Sequence, residues 1–222
     1  MNSHHILRAL PVLTALACGL PLAAHALTDT EPLSMVFEDQ APNSFGRPAV
    51  QAAPAPAAAR YSGDCRLYVR KVEDLRLNTE TVGGSMFIFP GPAGVPLGGA
   101  SLLSGDGMKW TTSALPSLRV SGVQTQSSAA AAGDRSAEVA LRLAQAWTSG
   151  LNMHSHVMLQ ATVPTPAGDV KKRYHGFGTK MNFANGNAEY MATLNLGMAE
   201  ALKAYAADLR SACEGKPVTA AP

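Results

Sequence analysis

The sequence predicts an α+β domain: a small, mostly antiparallel sheet, helices packed on one face, and a long amphipathic helix at the C-terminal end. Three observations predict it. Residues 65–72, 138–147 and 153–163 alternate apolar and polar side chains with the period of a half-buried strand. A Pro/Gly-rich turn at 164–169 joins the last of these to a further strand-like run, 170–183, as an antiparallel hairpin. Tyr190, Leu194, Met198, Ala201, Leu202, Tyr205 and Leu209 then form a single apolar stripe at helical spacing.

Residues 1–26 read as a secretory signal peptide. Arg8 supplies the positive start, Leu10 to Leu22 an apolar stretch too short to span a bilayer, and Ala24-His25-Ala26 a small-x-small cleavage pattern. A lipoprotein signal ending at Cys18 fits less well: Leu16 stands two positions before the cysteine instead of three, and the residues after it stay apolar. The expected location is therefore the periplasm, with outer-membrane anchoring through Cys18 as the weaker alternative. Residues 27–60 are expected to be a flexible linker, since 49–59 is almost wholly Ala and Pro and lacks bulky apolar side chains. Leu33, Met35, Val36 and Phe37 interrupt it as a short apolar cluster, which either docks on something or lies disordered.

The single domain is expected over 61–213, followed by a flexible tail at 214–222. Cys65, Leu67 and Val69 share the inner face of the first strand, and Glu73-Asp74-Leu75-Arg76 form its polar exit. Residues 82–101 are Gly/Pro-rich around Met86-Phe87-Ile88-Phe89, a short strand within a long loop. Trp110, Ala114 and Leu118 mark a helix over 108–122 that Pro116 splits or kinks. Residues 124–134 read as a connection. In the next strand Val139, Leu141 and Leu143 alternate with Ala140 and Arg142, and in the one after it Met153, Ser155, Val157 and Leu159 face the core. Asn185-Gly186-Asn187 caps the last helix, with Glu189 in its first turn.

Composition excludes some partners. Lys and Arg total 18 against 16 Asp and Glu, a formal charge of +2, too balanced for a nucleic-acid or anionic-membrane surface. No transmembrane segment is expected in the mature chain. Cleavage at Ala26 leaves Cys65 and Cys213 as the only thiols in an oxidising compartment, bracketing the domain without C-x-x-C spacing. A structural disulfide between them is expected over a catalytic thiol or metal ligation.

Candidate chemistry is sparse. His154 and His156 lie two apart on one strand and so share a face; with His175 on the next strand three imidazoles have a route to a metal ion. Lys171, Lys172 and Arg173 crowd that region with positive charge, and solvent-facing histidines on a polar sheet face are the expected arrangement. No G-x-S-x-G is present, the Gly-rich pieces at 98–99 and 105–107 lack a phosphate-loop lysine, and Glu73/Asp74 fall on a solvated exit loop. No catalytic residue, cofactor or resident metal is expected, and the chain reads as a non-enzyme.

From Cys65 onward the chain resembles envelope lipoproteins of the YajG type. It is similar, more loosely, to auxiliary lipoproteins of ABC-type lipid transport systems and to the periplasmic domain of curli secretion channels. The residues carrying the resemblance are Asp74-Leu75-Arg76, the 110–122 segment, Val139-Ala140-Leu141-Arg142-Leu143, the 164–169 hairpin, Lys172-Arg173-Tyr174-His175-Gly176 and the Ala-rich final helix. The resemblance implies an α+β fold and an accessory or assembly role among envelope proteins. The alternative is a carrier of a small apolar or lipid-like ligand held beneath Tyr190, Leu194 and Tyr205. A metal-dependent enzyme using the three histidines is the third reading.

Overall fold

In the computed structural model the described residues are 32–38, 66–86, 99–121, 123–126, 135–149, 152–181 and 186–218. The leader, the Ala/Pro stretch, Cys65, and the Phe87-Ile88-Phe89 run lie outside them. The elements are β1 (Arg66–Asp74), β2 (Thr81–Met86), β3 (Gly99–Leu103), α1 (Gly107–Ala114), a 3-10 segment (Leu115–Ser121), β4 (Gln124–Gln126), β5 (Arg135–Ser149), β6 (Asn152–Thr165), β7 (Gly168–Met181) and α2 (Asn187–Cys213).

The fold is α+β, as expected: a mixed sheet whose longest pairings, β5–β6 and β6–β7, are antiparallel. β5 organises it. One edge of β5 pairs with β6, and the other is shared end to end by two strands. β1 runs parallel to Arg135–Leu141, and β2 picks up farther along at Ala146 and Trp147. The turn between them is held by Asn78, whose side-chain oxygen accepts from the Glu80 and Thr81 amides at 2.9 and 3.0 Å. Gly83 then sits at φ 125° against Ala146, where a Cβ would overlap the Ala146 carbonyl oxygen. β2 continues antiparallel to β3, and β4 adds to the far side of β1. The parallel β1–β4 and β1–β5 pairs, the latter reached through α1, were outside the sequence reading, which took 124–134 as connection.

Two irregularities reset the alternation. A register shift between Leu141 and Leu143 turns Leu143 away from the core, half-buried, and brings Ala144 and Ala146 inward. The expected inward trio Val139, Leu141 and Leu143 is thus corrected to Val139 and Leu141. A similar shift lies between Val69 and Lys71 in β1.

The core fills one side of the sheet. Trp110, Leu118, Leu141, Met153, Leu159, Tyr190, Leu194, Met198 and Tyr205 are all fully or almost fully buried there. The two-piece helix follows from Pro116: α1 stops at Ala114 and the chain continues as 3-10 through Ser121. Asp106 caps α1, its carboxylate accepting from the Lys109 amide at 2.8 Å. Trp110 Nε1 donates to Asn195 Oδ1 at 2.8 Å and ties α1 to α2.

α2 covers β6 and β7 with the stripe expected from the sequence. Glu189 reaches back to the Gly186 amide at 3.4 Å. The contact is unusually close because β7 presents Gly176 to α2. A Cβ there would overlap the Gly197 carbonyl oxygen and stand 2.6 Å from the Ala201 nitrogen. Polar ties frame the apolar interface: Tyr205 Oη donates to Thr162 O at 3.0 Å, while Lys172 Nζ and Tyr174 Oη both donate to Asp208, at 2.7 and 2.9 Å. Burial first, then the Asp208 hydrogen bond, pushes the Tyr174 phenol far above its ordinary pKa, so it remains a donor.

Within the segment expected as flexible linker, residues 32–38 dock on the domain. Leu33 and Met35 are buried in the core, and the Leu33 amide donates to Leu103 O at 3.0 Å. The Phe37 amide donates to Ser113 Oγ at 3.0 Å, and Asn195 Nδ2 donates to Val36 O at 3.3 Å. Of the expected tail, Val218 packs partly buried against the core. No helix among the described residues is long and apolar enough to cross a membrane.

Candidate functional site

With both helices on one side, no element among the described residues covers the other face of β5, β6 and β7. Alternation decides what it displays: Met153, Ser155, Val157 and Leu159 point under α2, so His154, His156 and Met158 point out. Register then assembles neighbours around them. Trp147 of β5 lies opposite His154, and on the other flank Thr179 faces His154, Phe177 faces His156, and His175 faces Met158.

The result is an aromatic and imidazole cluster. The Trp147 ring lies 5.5 Å from His154 and 5.0 Å from His156; Phe177 lies 5.7 and 5.1 Å from the same two rings. Phe177 and Met181 are each 45% exposed. The sequence reading placed the two histidines on this face correctly but described it as polar, without Trp147 or Phe177.

The three histidines do not converge as one group. His156 Nδ1 and His175 Nε2 stand 2.6 Å apart, whereas His154 Nδ1 is 3.1 Å from Thr179 Oγ1. Among the described residues no three His, Cys, Asp or Glu side chains form a metal-ligand group. Burial, then the nearby His175 and His154, holds the His156 imidazole below its ordinary pKa. The expected crowding by three cations is corrected as well. Lys172 points to the α2 side and pairs with Asp208, leaving Lys171 and Arg173 on the open face toward the hairpin end.

The suspected acidic pair separates. Glu73 takes an exposed ion pair with Lys71 at 2.8 Å, while Asp74 is held by Arg76 inside the fold. Asp74 is the last residue of β1 and Arg76 is buried, so the reading of this stretch as a solvated exit loop is corrected. The guanidinium spans the carboxylate, Nε to Oδ1 at 2.8 Å and Nη2 to Oδ2 at 2.6 Å, with Nη1 on Ser104 Oγ at 2.9 Å.

β7 is the outer strand of its side of the sheet. Its Phe177 amide donates to Glu200 Oε2 of α2 at 2.7 Å, so the helix caps part of the strand's free edge.

No known protein family matches the chain, and no curated protein matches it. Among solved structures, a protein described only as uncharacterized is 14% identical with a TM-score of 0.43, over 65% of this chain and 92% of that chain. A Xanthomonas campestris protein of the DUF330 family is 10% identical with a TM-score of 0.37, over 64% of this chain and 81% of that one. Both are distant likenesses of fold, and neither description names a YajG-type lipoprotein.

Proposed function

We propose that this chain is a non-enzymatic accessory module of the periplasm that binds other cell-envelope proteins through the open face of β5, β6 and β7. The observation that carries this reading is the contrast between the two faces. One is filled by helices; the other presents Trp147, Phe177 and Met181 on a rigid sheet with no described element over them. Half-exposed aromatics held in place are the usual anchors of protein interfaces. Lys171 and Arg173 supply a charged margin, and the Glu200 cap on the β7 edge favours docking on the face over addition of a strand. The carrier reading needs space beneath Tyr190, Leu194 and Tyr205, yet all three are 0% exposed within a close-packed interface. The location rests on the 1–26 leader pattern.

The test is site-specific photo-crosslinking in cells. A photoreactive residue at position 177 should give discrete protein adducts, and one at exposed Lys203 on α2 should not. Equal adducts from both positions, or none from 177, would remove the interface from this face.

A Cys65–Cys213 disulfide belongs to the same reading of an exported protein. Arg66, next to Cys65, opens β1; Leu67 pairs in register with Arg135, whose Nη1 donates to Ala212 O at 2.8 Å, beside Cys213. The start of β1 and the end of α2 are therefore one arginine apart. Cys213→Ala is expected to lower stability by about 2–5 kcal/mol with the fold retained, read by urea denaturation. Two free thiols per chain in denatured, non-reduced exported protein would refute the bond.

A further inference from the structure

We propose that His156 and His175 form a cross-strand copper site on the open sheet face, with the Met158 thioether beside them as a third ligand. The two nitrogens already converge at 2.6 Å, with ring centroids 4.6 Å apart. Two imidazoles bound cis to one ion at roughly 2.0 Å each stand about 3 Å apart, so the spacing suits a chelate once the shared proton leaves and both rings tilt to aim their nitrogens at the ion.

The surroundings suit that exchange. The His175 ring is exposed and the His156 ring half-buried, so an ion and its waters have access without opening the core. Trp147 and Phe177 pack within 5.0 and 5.1 Å of the His156 ring and limit its rotation.

Ligand chemistry selects the metal. Register places Met158 directly opposite His175 and two residues from His156 on the same face, giving two imidazoles and a thioether with no carboxylate in the set. Hard cations want oxygen, and zinc in proteins rarely takes thioether sulfur. Copper accepts imidazole nitrogen and thioether sulfur together and leads the divalent affinity order. Arg173 lies on the same face two register pairs beyond Met158, so affinity must come from ligand bonds instead of net negative charge.

The experiment titrates the purified exported protein, cleaved after Ala26, with Cu(II) alone, read by equilibrium dialysis and by electron paramagnetic resonance. The expected result is one strongly held equivalent with imidazole nitrogen coupling. His156→Gln and His175→Gln should each weaken it by about tenfold or more, while His154→Gln leaves it within about twofold. Met158→Leu should weaken Cu(I), supplied with ascorbate, more than Cu(II). Circular dichroism shows that each variant is folded, which these surface positions allow. Copper binding that survives in the His156→Gln/His175→Gln double variant, or that lacks imidazole coupling, would overturn the proposal.

Discussion

Replacing Gly176 with alanine is expected to destabilise the domain by about 3 kcal/mol or more, a large effect for one methyl group. The added Cβ would overlap the Gly197 carbonyl oxygen and crowd the Ala201 nitrogen, both backbone atoms of a helix turn that no rotamer change can move. Relief requires α2 to lift from β7, which loosens the packing of Met198 and Ala201 and strains the Asp208 ties to Lys172 and Tyr174. Gly186→Ala is the matched control, because a Cβ there meets nothing within 4 Å. Its cost at the helix cap is expected to be under about 1 kcal/mol. Urea denaturation of the two variants gives the comparison. A Gly176→Ala midpoint near that of Gly186→Ala would mean that the helix rides farther from the sheet than described.

Arg76→Met is expected to cost about 3–5 kcal/mol, the range for leaving one member of a buried ion pair alone. The Arg76 side chain is 2% exposed and Asp74 only 16%, so water cannot take over the lost hydrogen bonds. Ser104 loses its donor in the same step. The first residue of α1 is packed directly on the pair: a Cβ at Gly107 would overlap Asp74 Oδ2 and lie 2.6 Å from Arg76 Nη2. The damage should therefore spread to the junction of β1, β3 and α1. Asp74→Asn combined with Arg76→Met removes the stranded charge and should recover part of the loss. A double variant no better than Arg76→Met alone would show that the cost is lost packing, not an uncompensated carboxylate.

Locally encoded features were legible. Period-two alternation identified β1, β5 and β6 because each buries one face far enough to leave a pattern, and the turn at 164–169 identified β7 as the returning strand. Pro116 announced the change from α1 to 3-10, since a ring without an N–H acts on its own turn. Every residue of the expected α2 stripe is buried because a helix lying against one sheet repeats the same environment at every turn, but the buried face is wider and includes Met191, Thr193, Asn195 and Ala206. The outward direction of His154 and His156 followed from the same arithmetic.

What alternation cannot carry is which strand lies beside which. The parallel seat of β1 between β4 and β5 depends on contacts far apart in sequence, and β4 is only Gln124–Gln126, too short for a pattern. The slip after Leu141 is invisible locally: a bulge keeps the sequence period while exchanging the faces. Arg76 looked solvated because an arginine is normally exposed, and only the arrival of Ser104 and Gly107 from elsewhere in the chain closes over it. Leu33 and Met35 sit in an apolar cluster too short to order by itself, and they fold because Leu103 and the helices offer a surface.

The sequence by itself determined the α+β class, the faces of β6 and the C-terminal helix, because each is written in residues close along the chain. Tertiary structure alone decided that His156 meets His175 while His154 turns to Thr179. It also set Trp147 and Phe177 on either side of His154 and His156. Both outcomes depend on the register of three strands, and register is fixed by the fit of the whole buried face against α2, a property that no single segment contains.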